Sequence, residues 1–279
     1  MGALAFLSSL AAELSGGAVD LPCFPDIVLR IRKALDDPEI KPEQAVKIVG
    51  AEPRLAAKLL QTANSAAFNP SGRPLTDLRS AITRLGHQLV QSAAMAFAVQ
   101  QMKQEPSLRE IATPLGVLWN DSVAVATIAH SVAERTKVAP DEAFLTGLLH
   151  GIGRLYILVR LATRREKFGD DESFKEIVAG WHPSIGKAVL ENWQFAQEIS
   201  DAVGDQLDFE RRRRGSAELT DVLMVSLALG AMLKEPEPRV VDMGEVHSFQ
   251  TVGLTADDCA GILKHADESI GALRDTLGC

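Results

Sequence analysis

The chain has 279 residues, enough for one large domain or two modest ones at roughly 150 residues each. Hydrophobic residues at 46% and charged residues at 24% fit neither a disordered chain nor a membrane protein; 10 Phe, 3 Trp and 1 Tyr, with no Asn-Gly or Asp-Gly dipeptide, argue against an all-β fold. With 29 basic against 37 acidic residues, the net charge of -8 repels phosphate backbones and anionic lipids, so neither broad nucleic-acid binding nor membrane association is expected.

The apolar start from Ala3 to Ala12 precedes the first basic residue, Arg30. It lacks the positive flank of a secretory signal and reads as an amphipathic helix. Ile27, Ile31 and Leu35 keep helical spacing, and Pro42 and Pro53 suit first helical positions, where a missing N–H costs nothing. After the loop Asn69 to Pro74, Thr76 is placed to cap a helix carrying Leu78, Ala81, Ile82 and Leu85, which Gly86 ends. His87 to Lys103 follows, then Leu118 to Glu134 and one continuous helix from Pro140 to Ala162. A polar connection at Gly169 to Ser173 precedes helices at Ser184 to Trp193 and Phe195 to Leu207. Arg211, Arg212, Arg213 and Arg214 form a charged break, read as a solvated face that could also hold an anion or an acidic partner. Leu219 to Leu233 is the next helix; its stretch Val222 to Leu233 is the longest candidate membrane span and falls short of the roughly 20 residues required. A loop of about twenty residues then leads to Thr255, which forms a capping box with Asp258 for a last helix through Leu273. Cys23, Cys259 and Cys279 are odd in number and far apart, without metal-knuckle or redox spacing, which fits a reducing cytoplasm. No repeat of 20 to 50 residues is evident, so the expected fold is all-α, a compact globule of many helices.

The most informative segment is Leu148-Leu149-His150-Gly151-Ile152-Gly153-Arg154-Leu155. A histidine on an apolar helix is either a metal ligand or a core residue bonded to a carbonyl, and the second is the reading adopted. Gly151 and Gly153 follow a helical turn rather than a strand, so close helix packing explains them better than a phosphate loop. No nucleophile elbow, Walker loop or His-Glu-x-x-His is present.

That segment resembles the Leu-Leu-His-Asp-Ile-Gly-Lys-Leu motif of HD and HD-GYP phosphohydrolases. Leu21-Pro22-x-x-Pro25, then Glu52-Pro53-Arg54-Leu55 with Ala63-Asn64-Ser65-Ala66, then Ala81-Ile82-x-x-Leu85-Gly86, resemble in order the HDOD domain, the HD-related output domain of bacterial signalling proteins. The resemblance implies an HD-like helical globule. It divides the chain into an N-terminal helix (1–20), an HDOD-like domain (21–213, with lobes 21–115 and 116–213) and a C-terminal helical extension (214–279) packed on the body.

It also implies where catalytic ligands would fall. The metal-binding His of active relatives matches Asp121, the His-Asp pair matches His150 and Gly151, and the late Asp matches Leu227. His182 resembles an additional histidine of related domains, and Asp205 lies near a further one. A catalytic divalent ion needs about three protein ligands, and of four family ligands only His150 is kept. The expectation is therefore a cytoplasmic, non-enzymatic signalling protein with a decayed site, no metal and no cofactor, acting on other signalling proteins. The alternative is a cyclic dinucleotide receptor or residual metal-dependent phosphodiesterase using His150, His182 and the Arg run. Partner, stimulus and oligomeric state are not encoded in any motif.

Overall fold

The computed structural model describes residues 3–16, 21–65, 68–69, 72–164, 172–212, 215–233 and 247–277. Among these residues every regular element is helical. The chain divides into two compact units, one of residues 1–22 with 106–270, the other of 23–105 with 271–279.

The smaller unit holds α2 (Asp26–Leu35), α3 (Pro42–Val49), α4 (Pro53–Ala63) and α5 (Leu78–Gln104). Pro42 and Pro53 sit at the first helical positions, as their missing N–H allows. Val28, Ile31, Val49, Leu55 and Leu59 are fully buried, the inward stripes of three amphipathic helices. Within α5, Gly86 has φ 77° and ψ 161°, a non-helical backbone that a residue with a side chain rarely adopts. The helix therefore breaks where the sequence places its end. Its N-cap is Asp77, whose side chain accepts from the Ser80 N–H at 2.8 Å, not the neighbouring Thr76. Asn64, within the stretch that resembles the HDOD domain, pins the following loop: Nδ2 donates to the Leu75 carbonyl at 2.8 Å while Oδ1 accepts from the Leu75 N–H at 2.7 Å.

The larger unit begins with α1 (Ala3–Ser15), whose Phe6, Leu7 and Leu10 are fully buried. α1 packs on α9 (Glu172–Asn192), and Glu13 is ion-paired with both Arg160 and Arg164. Then come the 3-10 segment Pro106–Ile111, α6 (Ala112–Ala133), α7 (Pro140–Leu149), α8 (Ile152–Arg164), α9, α10 (Gln197–Gly204), α11 (Leu219–Met232), α12 (His247–Val252) and, of α13 (Ala256–Leu277), the part to Ile270. The units separate at Glu105 and Pro106, ten residues before the sequence-derived lobe boundary, because Leu108 is fully buried and its 3-10 segment packs on α6 and α8.

Further local expectations differ from the structure. The helix expected from Pro140 to Ala162 is two helices, interrupted at His150 and Gly151. α9 starts well before Ser184 and runs through Pro183, whose missing N–H forfeits one bond without ending a helix packed against α8 and α10. α10 is shorter than Phe195 to Leu207, and α12 occupies part of the stretch read as loop. The Thr255–Asp258 capping box forms as expected, with Asp258 N–H donating to Thr255 Oγ1 at 3.2 Å and Thr255 N–H to Asp258 Oδ2 at 3.0 Å. By length and hydropathy two stretches, Pro106–Ala133 and Pro140–Arg164, exceed Val222 to Leu233 as candidate spans. Their most apolar windows are 56% and 78% buried inside the protein, which makes them core helices of this unit.

Candidate functional site

The site is assembled by α6, α7, α8 and α9 of the larger unit. Glycines set how closely these helices approach. A Cβ on Gly147 would lie 2.6 Å from the Ala126 Cα, so α7 lies directly against the α6 backbone. A Cβ on Gly153 would lie 2.0 Å from the His182 carbonyl oxygen and 2.7 Å from the Gly186 nitrogen. Close packing is thus the role of Gly153, as its sequence context suggests.

His150 caps the C-terminus of α7 and is 4% exposed. Its Nδ1 lies 2.7 Å from the Gly147 carbonyl oxygen. A carbonyl only accepts, so the proton is assigned to Nδ1. The turn is tied down from a second side: the buried Gln206 donates from Nε2 to the His150 carbonyl at 3.1 Å and to the Val203 carbonyl at 2.7 Å. Gln206 carries no motif and escaped the sequence reading. Its neighbour Asp205 is exposed at the end of α10, where its charge acts on Lys187 and Arg211.

Gly151 stands where the resemblance implies a carboxylate. A Cβ there would stand 2.9 Å from Leu118 Cδ1 and 3.3 Å from Ser122 Oγ, so α6 fills the space beside it. His182 is 1% exposed, and neither ring nitrogen has a hydrogen-bond partner. Burial first, then the Arg154 guanidinium and the neighbouring His150 ring, hold its pKa down to about 3, so the ring is neutral at ordinary pH. Asp121 of α6 and Arg154 of α8 line one cleft of about 420 Å³ with Thr113, Val117, Leu158 and Val178. Desolvation lowers the Arg154 pKa and the Asp121 charge opposes that shift. Leu227 lies on α11, which packs against α6 and α7, and its side chain has no ligating atom.

These residues do not fit a divalent metal. Among the described residues no three His, Cys, Asp or Glu side chains converge as a ligand set. Leu118 stands in the space beside Gly151, and a guanidinium acts on His182.

Arg211 and Arg212, the two described residues of the Arg run, differ in their surroundings. Arg211 donates to Glu218 Oε2 at 2.8 Å and Asp221 Oδ1 at 3.3 Å, beside the α11 N-terminus, where Ser248 Oγ also donates to Asp221 Oδ1 at 2.9 Å. This corrects the solvated reading for Arg211: Asp221 is 3% exposed and its charge requires a partner. Arg212 is exposed, and Arg213 and Arg214 lie outside the described residues. Arg211→Gln is expected to cost about 1 to 3 kcal/mol in urea denaturation, and Arg212→Gln less than about 0.5 kcal/mol.

Comparison with known proteins matches the HDOD domain family over residues 21–209. The chain belongs to that family. An uncharacterized protein of Treponema pallidum (strain Nichols) is 21% identical over 207 residues, 70% of this chain; the chain spans about two fifths of that relative, whose matched share is 39%. Two solved structures share the fold. One is a Shewanella amazonensis SB2B protein named provisionally as a metal-dependent phosphohydrolase (24% identity, TM-score 0.72, covering 97% of this chain and 98% of that one). The other is an HDOD domain protein of unknown function from Geobacter sulfurreducens (24% identity, TM-score 0.63, 99% and 98%).

Proposed function

We propose that this HDOD protein is a non-catalytic signalling component that works by contact with other signalling proteins in the cytoplasm. The observation that carries the reading is the closed ligand position: Leu118 occupies the space beside Gly151, and His150 is bonded to its own helix. A hydrolytic centre needs an open metal position with a carboxylate to orient water, and these side chains supply neither. Family membership supports the signalling role, because a scaffold that keeps the helices and loses the ligands has its surfaces left to act with.

The experiment is elemental analysis of purified full-length protein, together with assays of cyclic dinucleotide and phosphate-ester hydrolysis. No stoichiometric metal and no turnover are expected. One iron, manganese or zinc per chain, or turnover abolished by His150→Ala, overturns the reading. A melting shift with a cyclic dinucleotide, in the absence of turnover, points to the nucleotide receptor instead.

A further inference from the structure

The cleft between α6, α8 and α9 joins two kinds of chemistry. Val117, Leu118, Ile157, Leu158, Leu161 and Val178 give it apolar walls, while Asp121 and Arg154 also line it. At about 420 Å³ it lies in the range of small-molecule pockets. Val117 is 57% exposed, the highest value among the large apolar side chains described, so apolar surface stands wet in this cleft. Arg154 is half-buried, its guanidinium is desolvated, and among the described residues no hydrogen bond is made by it. The donors of the guanidinium are thus not used up. Asp121 supplies one carboxylate charge, whereas a guanidinium offers five N–H donors in a planar fork, so an edge remains for a second acceptor.

We infer that this cleft binds a small aliphatic carboxylate, its head group on Arg154 and its chain along Val117, Leu158 and Leu161. An anion is favoured over a neutral chain because a charge-assisted pair in a partly dry cleft outweighs a neutral hydrogen bond. An anion is favoured over a cation because the Arg154 guanidinium is desolvated and makes no hydrogen bond among the described residues. Asp121 works against the ligand by like-charge repulsion and holds the affinity down. The surface at large carries net negative charge, so attraction is local to Arg154. The inference goes beyond the non-catalytic reading and stands apart from it: bound metal or turnover would overturn that reading and leave carboxylate binding as measured.

The test is calorimetric titration of the full-length protein with octanoate, octanol and octylamine below their aggregation concentrations. Octanoate is expected to bind at least about tenfold tighter than either of the others, and affinity should rise about fourfold per methylene from hexanoate to octanoate. Arg154→Gln should weaken octanoate about ten- to hundredfold, whereas Asp121→Asn should tighten it severalfold by removing repulsion. A merely structural Asp121–Arg154 pair would not split the two variants in opposite directions. If a variant melts below the assay temperature, the wild-type ligand series decides alone. No binding at millimolar octanoate, equal affinity for octanol, or preference for octylamine overturns the inference. So does an apolar peptide with a free C-terminal carboxylate that displaces octanoate at far lower concentration, since the occupant is then a protein tail.

Discussion

Gly153→Ala is expected to destabilise the protein by about 3 kcal/mol or more, at or beyond the upper end of ordinary overpacking. The new methyl carbon would meet the His182 carbonyl oxygen at 2.0 Å and the Gly186 nitrogen at 2.7 Å. Both are backbone atoms of α9, so relief requires the helices to part. Parting them would strip contacts from Ile152, Leu155 and Ile185, all buried near this crossing. Gly180 lies on the same α9 helix with nothing within 4 Å of an added Cβ. Gly180→Ala should be neutral or gain up to about 1 kcal/mol from helix propensity. Urea denaturation of the two variants measures the contrast, and equal midpoints would contradict the close crossing.

The second large effect is with pH. His182 titrates at about 3 in the folded protein and near its ordinary 6.5 when unfolded. Below pH 6.5 the unfolded chain therefore takes up a proton that the folded chain refuses. Stability is present in full above 6.5 and falls as the solution is acidified, at about 1.4 kcal/mol per unit. Between pH 6.5 and 4.5 the loss should reach about 2 to 3 kcal/mol from this residue. The causes, largest first, are burial, then the Arg154 guanidinium and then the neighbouring His150. Glu43, Asp77, Asp201 and Asp258 have depressed pKa values and add losses of the same sign at lower pH. Denaturation midpoints across this range would show the slope in the wild type and its loss in His182→Gln. A flat wild-type profile would mean that the ring reaches a proton donor or solvent in the folded state.

The helical architecture was legible because it rests on local rules: proline at helix starts, the capping box at Thr255, and the break at Gly86 each act within four residues. The break at His150 and Gly151 was not. Both flanks are apolar and helical by periodicity, and the interruption depends on tertiary partners, His150 against Gly147 and Gln206 against the His150 carbonyl. Pro183 misled for a related reason, since a tertiary-packed helix can carry a residue that would end an isolated one. The order of the site residues was read through family resemblance, and the structure brings Asp121, His150, Gly151 and His182 into the α6 to α9 region while leaving Asp205 on the surface. Arg154 stands in the Leu148 to Leu155 motif, but a lone cation on an apolar helix has no pattern until its cleft is seen. Arg211 shows the reverse limit: it and its identical neighbour Arg212 differ in role by whether a buried carboxylate is within reach.

The Asn64 clamp has a consequence for chemical ageing. Its side-chain amide imitates a peptide group, giving a proton to the Leu75 carbonyl and taking one from the Leu75 N–H across eleven residues. Only an amide can do both at neutral pH, since a carboxylate accepts and never donates. Hydrolysis of that amide to aspartate exchanges one NH2 for one O−. The new charge would face the carbonyls of Leu60 and Leu75, both now served by Nδ2. A change of one atom group, invisible to hydropathy or size, would turn the loop's fastener into a source of repulsion.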